Sequence, residues 1–207
     1  MKGAIFKSIF NNHLKQQLHT DKWQYKSSLV YSEITSGILK GFCFDSSAYG
    51  NDIFDLTAFV CPLYVPKSYL GLSFGDTLRP PNKRQRWDYD AAQVEQLSQQ
   101  LAAVMNQAEK KFLSRINNAA DFYKYYRWDK KNTFRYFEAV AYSLAYSGSK
   151  RADKELKNLL AYIRKNEDLS GQHVSQTYNN TERLLWSDDR KAVLDEWEQY
   201  TRTELKI

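Results

Sequence analysis

The fold is decided by residues 29–65, LVYSEITSGILKGFCFDSSAYGNDIFDLTAFVCPLYV, where hydrophobic and polar side chains alternate along successive segments. This alternation predicts antiparallel strands with one buried face. Ser36-Gly37 is typical of a tight hairpin turn between the first two strands. A two-residue turn there pairs Tyr31 with Phe42, which predicts that both side chains lie on the buried face.

A third strand is predicted within residues 51–65, where apolar side chains recur at every second position from Phe54. Pairing Phe54 with Phe44 places this set on the same buried face as the first hairpin. Pro62 ends the strand because proline has no amide to donate to a neighbouring strand. Residues 69–75 are predicted to form a short fourth strand.

Before and after these strands, apolar residues recur at the three- to four-residue spacing of an amphipathic helix. Apolar residues predict one helix over residues 3–19, before the sheet, and several more beyond residue 87. The later helices are predicted after a cap at Asp88 or Asp90, over 134–144 with an end near Gly148, over 152–163, and after a cap at Ser187.

The predicted fold class is therefore α+β. An N-terminal helix and a three- to four-stranded antiparallel meander occupy residues 1–78, and an all-helical half occupies residues 88–207. The segment 79–87 is predicted to be a basic linker between these halves of one compact domain.

The composition is that of a soluble globular protein, with 43% hydrophobic and 26% charged residues in 207. No apolar run approaches the roughly 20 residues that a membrane span needs. Lys7 and Asn11 interrupt the apolar residues near the N-terminus, so we expect no signal peptide. Cys43 and Cys61 are expected to be thiols too far apart for a disulfide, which fits a reducing, cytoplasmic compartment.

Catalytic and metal-binding patterns are missing from the sequence. His13 and His19 are six residues apart, on opposite sides of a predicted helix, and His173 has no acid or cysteine at ligand spacing. No phosphate-binding glycine loop, H-E-x-x-H helix or G-x-S-x-G elbow occurs. We therefore expect a protein that is not an enzyme and has no cofactor or metal.

The first candidate surface is basic. Residues 1–87 carry 11 Lys and Arg against 6 Asp and Glu, whereas residues 88–207 carry 19 against 18. Part of the excess forms the segment that we call the basic tongue, Arg79, Lys83, Arg84 and Arg86. It is either a solvated linker or a surface that meets an acidic partner or phosphate.

A second candidate, the aromatic–basic segment, is DFYKYYRWDKKNTFRYF at residues 121–137. Aromatic rings beside cations hold single-stranded nucleic acid without sequence preference. Such a site would use Lys124, Tyr126, Arg127, Trp128, Lys130 and Lys131. The alternative is that the rings pack in a helical core or against a partner.

A third candidate, the acidic stripe, lies on the last predicted helix and consists of Asp188, Asp189, Asp195 and Glu196. These residues fall on one helical face, roughly opposite Val193, Trp197 and Tyr200. A solvated outer face is one interpretation, and a surface that covers a basic target is the other.

Three stretches carry a resemblance to known proteins. GILKGFCFDSS at 37–47 and DIFDLTAFVCPLYVPKSYLGLSFG at 52–75, followed by EAVAYSLAYSG at 138–148, resemble a group of uncharacterised bacterial proteins. These have a helix, an antiparallel sheet that ends in a P-L-x-x-P turn, and C-terminal helices; the turn here is residues 62–66. The resemblance covers residues 1–75 and 134–165. Some such proteins are similar to immunity proteins encoded beside secreted toxins, which implies binding rather than catalysis.

These observations favour a non-enzymatic protein-binding function, most concretely the neutralisation of a co-encoded bacterial toxin. Tyr and Trp, which are frequent anchors of interfaces, are abundant, with 15 and 5 residues. The alternative is a nucleic-acid-binding accessory protein, in line with the sequence pI of about 9.1.

Overall fold

The computed structural model describes residues 3–19, 22–46, 52–82, 84–127, 133–166 and 171–207. Within them the chain forms two compact units. The first is built from residues 1–35, 39–61 and 72–115, and the second from residues 36–38, 62–71 and 116–207.

The first unit contains an antiparallel sheet. Its strands in the described residues are β1 Gln24–Lys26, β2 Leu29–Tyr31, β3 Ile38–Ser46, β4 Ile53–Pro62, β5 Gly75–Thr77 and β6 Trp87–Asp88. The order β1-β2-β3-β4-β5 is a meander, and β6 also pairs with β4. The predicted α+β class and antiparallel meander are confirmed.

The predicted pairing of Tyr31 with Phe42 is wrong by one residue, because Val30 pairs with Phe42 and Tyr31 with Gly41. The turn itself lies where it was predicted, and its residues Ser36 and Gly37 have φ angles of 47° and 72°. Four residues separate this turn from Tyr31 but only three separate it from Gly41. The extra residue is a β-bulge, so Val30 is buried and Tyr31 is only half-buried.

Two other strand predictions need correction. The alternation from Trp23 to Tyr31 predicts one strand before Ser36, but these residues form a hairpin, since Ser27 and Ser28 have positive φ and join β1 to β2. The fourth strand predicted at residues 69–75 is displaced, since the strand found there, β5, begins only at Gly75. Residues 62–71 instead belong to the second unit, where the amide of Lys67 donates to Thr201 Oγ1 at 3.3 Å.

The core of the first unit lies between the sheet and the N-terminal helix. Helix α1 spans Gly3–Ile9 and continues through a π turn and a 3₁₀ turn to Gln17, which confirms the predicted N-terminal helix. The ring of Phe6 lies 4.9 Å from that of Phe44 and 5.1 Å from that of Phe54. Phe44 and Phe54 are both buried, which confirms that they share a face.

Beyond the sheet, helix α2 spans Val94–Lys111 and belongs to the first unit. The carboxylate of Asp90 accepts from the amide of Ala92 at the start of the preceding 3₁₀ turn, as one predicted cap requires. In the second unit the helices are α3 Ala119–Tyr126, α4 Phe134–Tyr146, α5 Ala152–Lys165, α6 Gln172–Trp186 and α7 Arg190–Leu205.

Helix α4 is the centre of the second unit, since α3, α5 and α7 all pack against it. Its predicted end near Gly148 is confirmed by the positive φ of that residue. Helices α3 and α6 were not predicted. In α6 two of the four buried positions are Thr177 and Thr181, so the apolar periodicity is interrupted.

The predicted cap of the last helix at Ser187 is wrong. Asp189 is the N-cap of α7, where its carboxylate accepts from the amide of Ala192 at 2.9 Å. The Ser187 hydroxyl accepts from the amide of Asp189 instead and lies at the end of α6. An aspartate is as good a cap as a serine, so sequence preference alone did not distinguish the two.

We expect Asp189→Ala to lower the free energy of unfolding by about 1 kcal/mol, because it removes this cap bond. Asp188→Ala is the matched control, since Asp188 is exposed and is not the cap. Urea denaturation measures both variants. Equal losses would show that the effect comes from charge rather than capping.

None of the helices in the described part of the chain combines the length and the apolar character that crossing a bilayer requires.

Candidate functional site

The second unit contains a small cleft, the Lys67 cleft, with a volume of about 120 Å³. Its walls come from the loop after β4, from α4 and α6, and from one residue of α7. The lining includes Lys67, Tyr69, Arg135, Glu138, Thr177 and Tyr200.

The loop that carries Lys67 is held in place by the residues just before it. Tyr64 stacks on Tyr146 of α4 with ring centroids 4.3 Å apart, and its hydroxyl lies 2.7 Å from Ser143 Oγ. The amide of Lys67 then donates to Thr201 of α7. The loop is thus fixed to two helices of its own unit on either side of Pro66.

The floor of the cleft is a buried ion pair. Glu138 is only 2% exposed, and its Oε2 accepts from Arg135 Nη1 at 2.8 Å. Its Oε1 accepts from Thr177 Oγ1 at 2.6 Å. Each carboxylate oxygen therefore has a strong donor, as a buried charge requires.

The Glu138 carboxylate and burial together shift the pKa values of Arg135 and Tyr142. Burial alone would lower the pKa of Arg135, but Glu138 and Tyr69 together raise it above its usual value, so the guanidinium stays charged. Burial raises the pKa of Tyr142 well above its usual value, and the Glu138 carboxylate raises it further. Tyr142 is therefore a neutral hydrogen-bonding group, close to Thr181 Oγ1 at 3.0 Å.

Lys67 is the charge in the cleft that lacks a counterion. The residue is only 7% exposed. Within the described ranges, no acidic side chain lies at ion-pair distance from its ammonium, and the hydrogen bond made by this residue comes from its main-chain amide. The stem of Lys67 is buried, whereas its ammonium keeps contact with solvent, since the buried side-chain nitrogen without a partner in the described residues is Trp23 Nε1 and not Lys67 Nζ. A cation that lines a cleft without a protein counterion is able to pair with an external anion.

The rim of the cleft is aromatic. Tyr69 is 57% exposed and Tyr200 is 45% exposed, and both line the opening. The Tyr69 hydroxyl accepts a long contact of 3.4 Å from Arg135 Nη2. Tyr200 was predicted to lie on the same side of the last helix as Val193 and Trp197; those two residues are buried, whereas Tyr200 is exposed and lines the cleft.

The arrangement is suited to binding an anion rather than to proton transfer by Glu138. Both oxygens of this carboxylate already accept hydrogen bonds, and the side chain is closed off from solvent. Lys67 supplies positive charge, and Gln176 and Asn180 add amide groups to the lining. The two exposed tyrosines add surface that a partner can cover.

The predicted basic tongue lies in the other unit and is partly paired. Arg84 contacts the Asp88 carboxylate, and Arg86 Nε lies 3.4 Å from Asp55 Oδ2. Arg79 is exposed. Lys83 lies outside the described residues. The segment ends in Trp87, which is buried and pairs with Phe54 in the sheet.

The predicted acidic stripe is also largely paired. Asp189 caps α7, and Asp195 contacts Lys191. Glu196 Oε2 accepts from Arg183 Nη2 at 2.6 Å, and this bond lowers the pKa of Glu196. Asp188 is exposed. The structure thus does not bring the four carboxylates together as one unpaired acidic face.

The predicted nucleic-acid residues fall into three groups. Lys124 and Arg127 are exposed, but Tyr126 is buried beside Phe122, with ring centroids 4.8 Å apart. Trp128, Lys130 and Lys131 lie outside the described residues. Because Tyr126 is packed in the core, it is not available to stack on a base.

Sequence reasoning missed Lys67, Arg135 and Glu138. Glu138 did leave a signal, since it is the one acid in the segment FRYFEAVAYSLAY of α4, whose other residues apart from Arg135 and Ser143 are apolar or aromatic. A charge on a helix that is apolar all round must be buried and paired. Lys67 left none, because its burial depends on contacts with residues far along the chain.

In the part of the chain that the structure describes, no group of three or more His, Cys, Asp and Glu side chains is placed to hold a metal ion.

Comparison with protein-family models, with curated proteins and with solved structures finds no match to this chain.

The two cysteines carry thiols, Cys43 half-buried and Cys61 buried. Burial, with a further contribution from Asp45, raises the pKa of Cys43 to about 11. At pH 8 roughly one Cys43 in a thousand is then ionised, and the thiolate is the reactive form.

We expect iodoacetamide at pH 8 to label neither cysteine of the native protein in the time that labels both in urea. Fast native labelling, or an intact mass that changes with reductant, would contradict this.

Proposed function

We propose that this chain is a non-enzymatic protein-binding protein whose docking surface is centred on the Lys67 cleft. The observation that supports this best is the pair of exposed tyrosines, Tyr69 and Tyr200, which line a cleft together with Lys67, a residue whose ammonium has no counterion among the described residues. Tyrosine and arginine are enriched among interface hot spots, which lie in well-packed, desolvated pockets.

The partner that we propose is a toxin encoded beside this protein, which the chain would neutralise as an immunity protein. The support for this partner is the resemblance carried by residues 37–47, 52–75 and 138–148. Lys67 and Glu138 both lie in those stretches. A positive cleft suits a toxin with an acidic docking face, in line with the net charge of +6 of this chain.

The test is to co-express the chain with the product of the adjacent open reading frame and to measure complex formation by calorimetry. Tyr69→Ala and Tyr200→Ala should each weaken the complex by about 2 kcal/mol, or roughly 30-fold. Tyr125→Ala is the matched control, because Tyr125 is an exposed tyrosine of α3 outside the cleft lining.

Two outcomes would contradict the proposal. One is the absence of a complex, with cells that lack this chain surviving the neighbouring product unharmed. The other is steep, salt-dependent binding of an oligonucleotide, which would favour the nucleic-acid alternative because each phosphate contact adds to the salt slope.

A further inference from the structure

The charges that line the Lys67 cleft do not cancel. Arg135 and Glu138 neutralise each other across a 2.8 Å bond. Lys67 then leaves one positive charge, with histidine counted as neutral. An anion of single charge would make the cleft neutral, whereas a doubly charged anion would leave excess negative charge beside the buried Glu138 carboxylate.

The size of the cleft limits what this anion can be. Its volume of about 120 Å³ is well below the roughly 300–1,000 Å³ of clefts that hold small-molecule ligands. A carboxylate on a short side chain is of suitable size, and a nucleotide is not. Both terminal nitrogens of Arg135 already contact Glu138 and Tyr69, so the cation of the lining that remains for an anion is Lys67. A lysine ammonium binds an anion as a point charge.

We propose that the Lys67 cleft binds a single carboxylate group of the partner, with the ammonium of Lys67 as its counterion and the rings of Tyr69 and Tyr200 packed around it. The carboxylate comes from an Asp or Glu side chain or from a chain terminus, since both carry the same group. This inference rests on the proposed function for the source of the carboxylate. The test below uses the free protein and needs no partner.

Gly71 offers a second way to probe Lys67. A Cβ built on Gly71 would lie 3.2 Å from Lys67 Nζ, so the end of the lysine side chain would have to move by a few tenths of an ångström. Gly71→Ala therefore keeps the charge but shifts it. Lys67→Met keeps the length of the side chain but removes the charge.

The experiment is a titration of the full-length protein followed by amide chemical shifts at constant ionic strength. The probes are N-acetyl-glutamate amide for a side-chain carboxylate, N-acetyl-alanine for a terminal one, N-acetyl-glutamine amide as the neutral control, and inorganic phosphate. We expect saturable shifts at the amides of Lys67 and Tyr69 with one or both carboxylates, with a Kd on the order of 1 mM.

Lys67→Met should weaken this binding at least tenfold, and Gly71→Ala should weaken it less. Lys157→Met is the matched control, since Lys157 is an exposed lysine of α5, and it should leave the Kd unchanged. Absence of saturable shifts at these amides, tighter binding of phosphate, or equal loss in Lys157→Met would overturn the inference. A partner complex that forms without any carboxylate binding would overturn it and leave the proposed function standing.

Discussion

Gly41→Ala is expected to lower the free energy of unfolding by at least about 3 kcal/mol, or to abolish cooperative folding of the first unit. A Cβ on Gly41 would lie 2.2 Å from the carbonyl oxygen of Val30 and 2.8 Å from the Cα of Tyr31. Both are backbone atoms of β2, so no side-chain rotation relieves the clash. The two strands would have to separate beside the buried Val30–Phe42 pair.

The matched control for this change is Gly3→Ala, because a Cβ on Gly3 of α1 meets nothing within 4 Å. We expect it to be neutral or slightly stabilising, since alanine is the better helix former. Urea denaturation followed by circular dichroism measures both variants. A Gly41→Ala protein within 1 kcal/mol of the wild type, a margin set by the small effect of ordinary surface changes, would contradict the strand register described above.

Arg135→Met is expected to cost about 3–5 kcal/mol, because it leaves the buried Glu138 carboxylate without its counterion. Arg164→Met is the matched control. Arg164 pairs with Glu182 at 3.6 Å on the surface, where such pairs contribute about 0–1 kcal/mol. The two variants thus remove the same kind of side chain from a buried and from an exposed ion pair.

The double variant Arg135→Met/Glu138→Leu should recover most of the loss, since it removes both charges together. Equilibrium denaturation of the wild type, Arg135→Met, Glu138→Leu and the double variant completes the double-mutant cycle. A double variant as unstable as the sum of Arg135→Met and Glu138→Leu would show that the two residues act independently. That result would contradict the assignment of Glu138 as a paired, structural carboxylate.

The parts of the fold that could be predicted from the sequence are those set by local patterns. The two-residue turn at Ser36-Gly37, the end of β4 at Pro62 and the end of α4 near Gly148 all depend on residues with restricted or unusual backbone conformations. The class of each half followed from the period of its apolar residues.

The register of β2 against β3 could not be predicted in the same way. The predicted register is wrong because there is one extra residue between Tyr31 and the turn. A bulge leaves no distinct pattern in the sequence, here in the segment between β2 and the turn that contains Ser32 and Glu33. Because side chains alternate, that one residue exchanged the faces of Val30 and Tyr31.

The candidate site was beyond the reach of sequence patterns for a different reason. Lys67, Glu138 and Thr177 are far apart in the chain, and the structure brings them to one cleft through the packing of α4 and α6 and the pinned loop after β4. The surfaces that the sequence did indicate are clusters of neighbouring charges, which the structure largely pairs, as at Glu196 and Arg84.

The central claim is that a protein partner docks on the Lys67 cleft, and hydrogen–deuterium exchange of the complex with the neighbouring gene product tests it most directly. We predict slower exchange in the complex at the loop around Lys67 and Tyr69 and in α6, with no change at Arg79 and Arg84. Protection confined to the basic tongue, or to the first turn of α7 at Asp189, with the Lys67 loop unchanged, would contradict the claim.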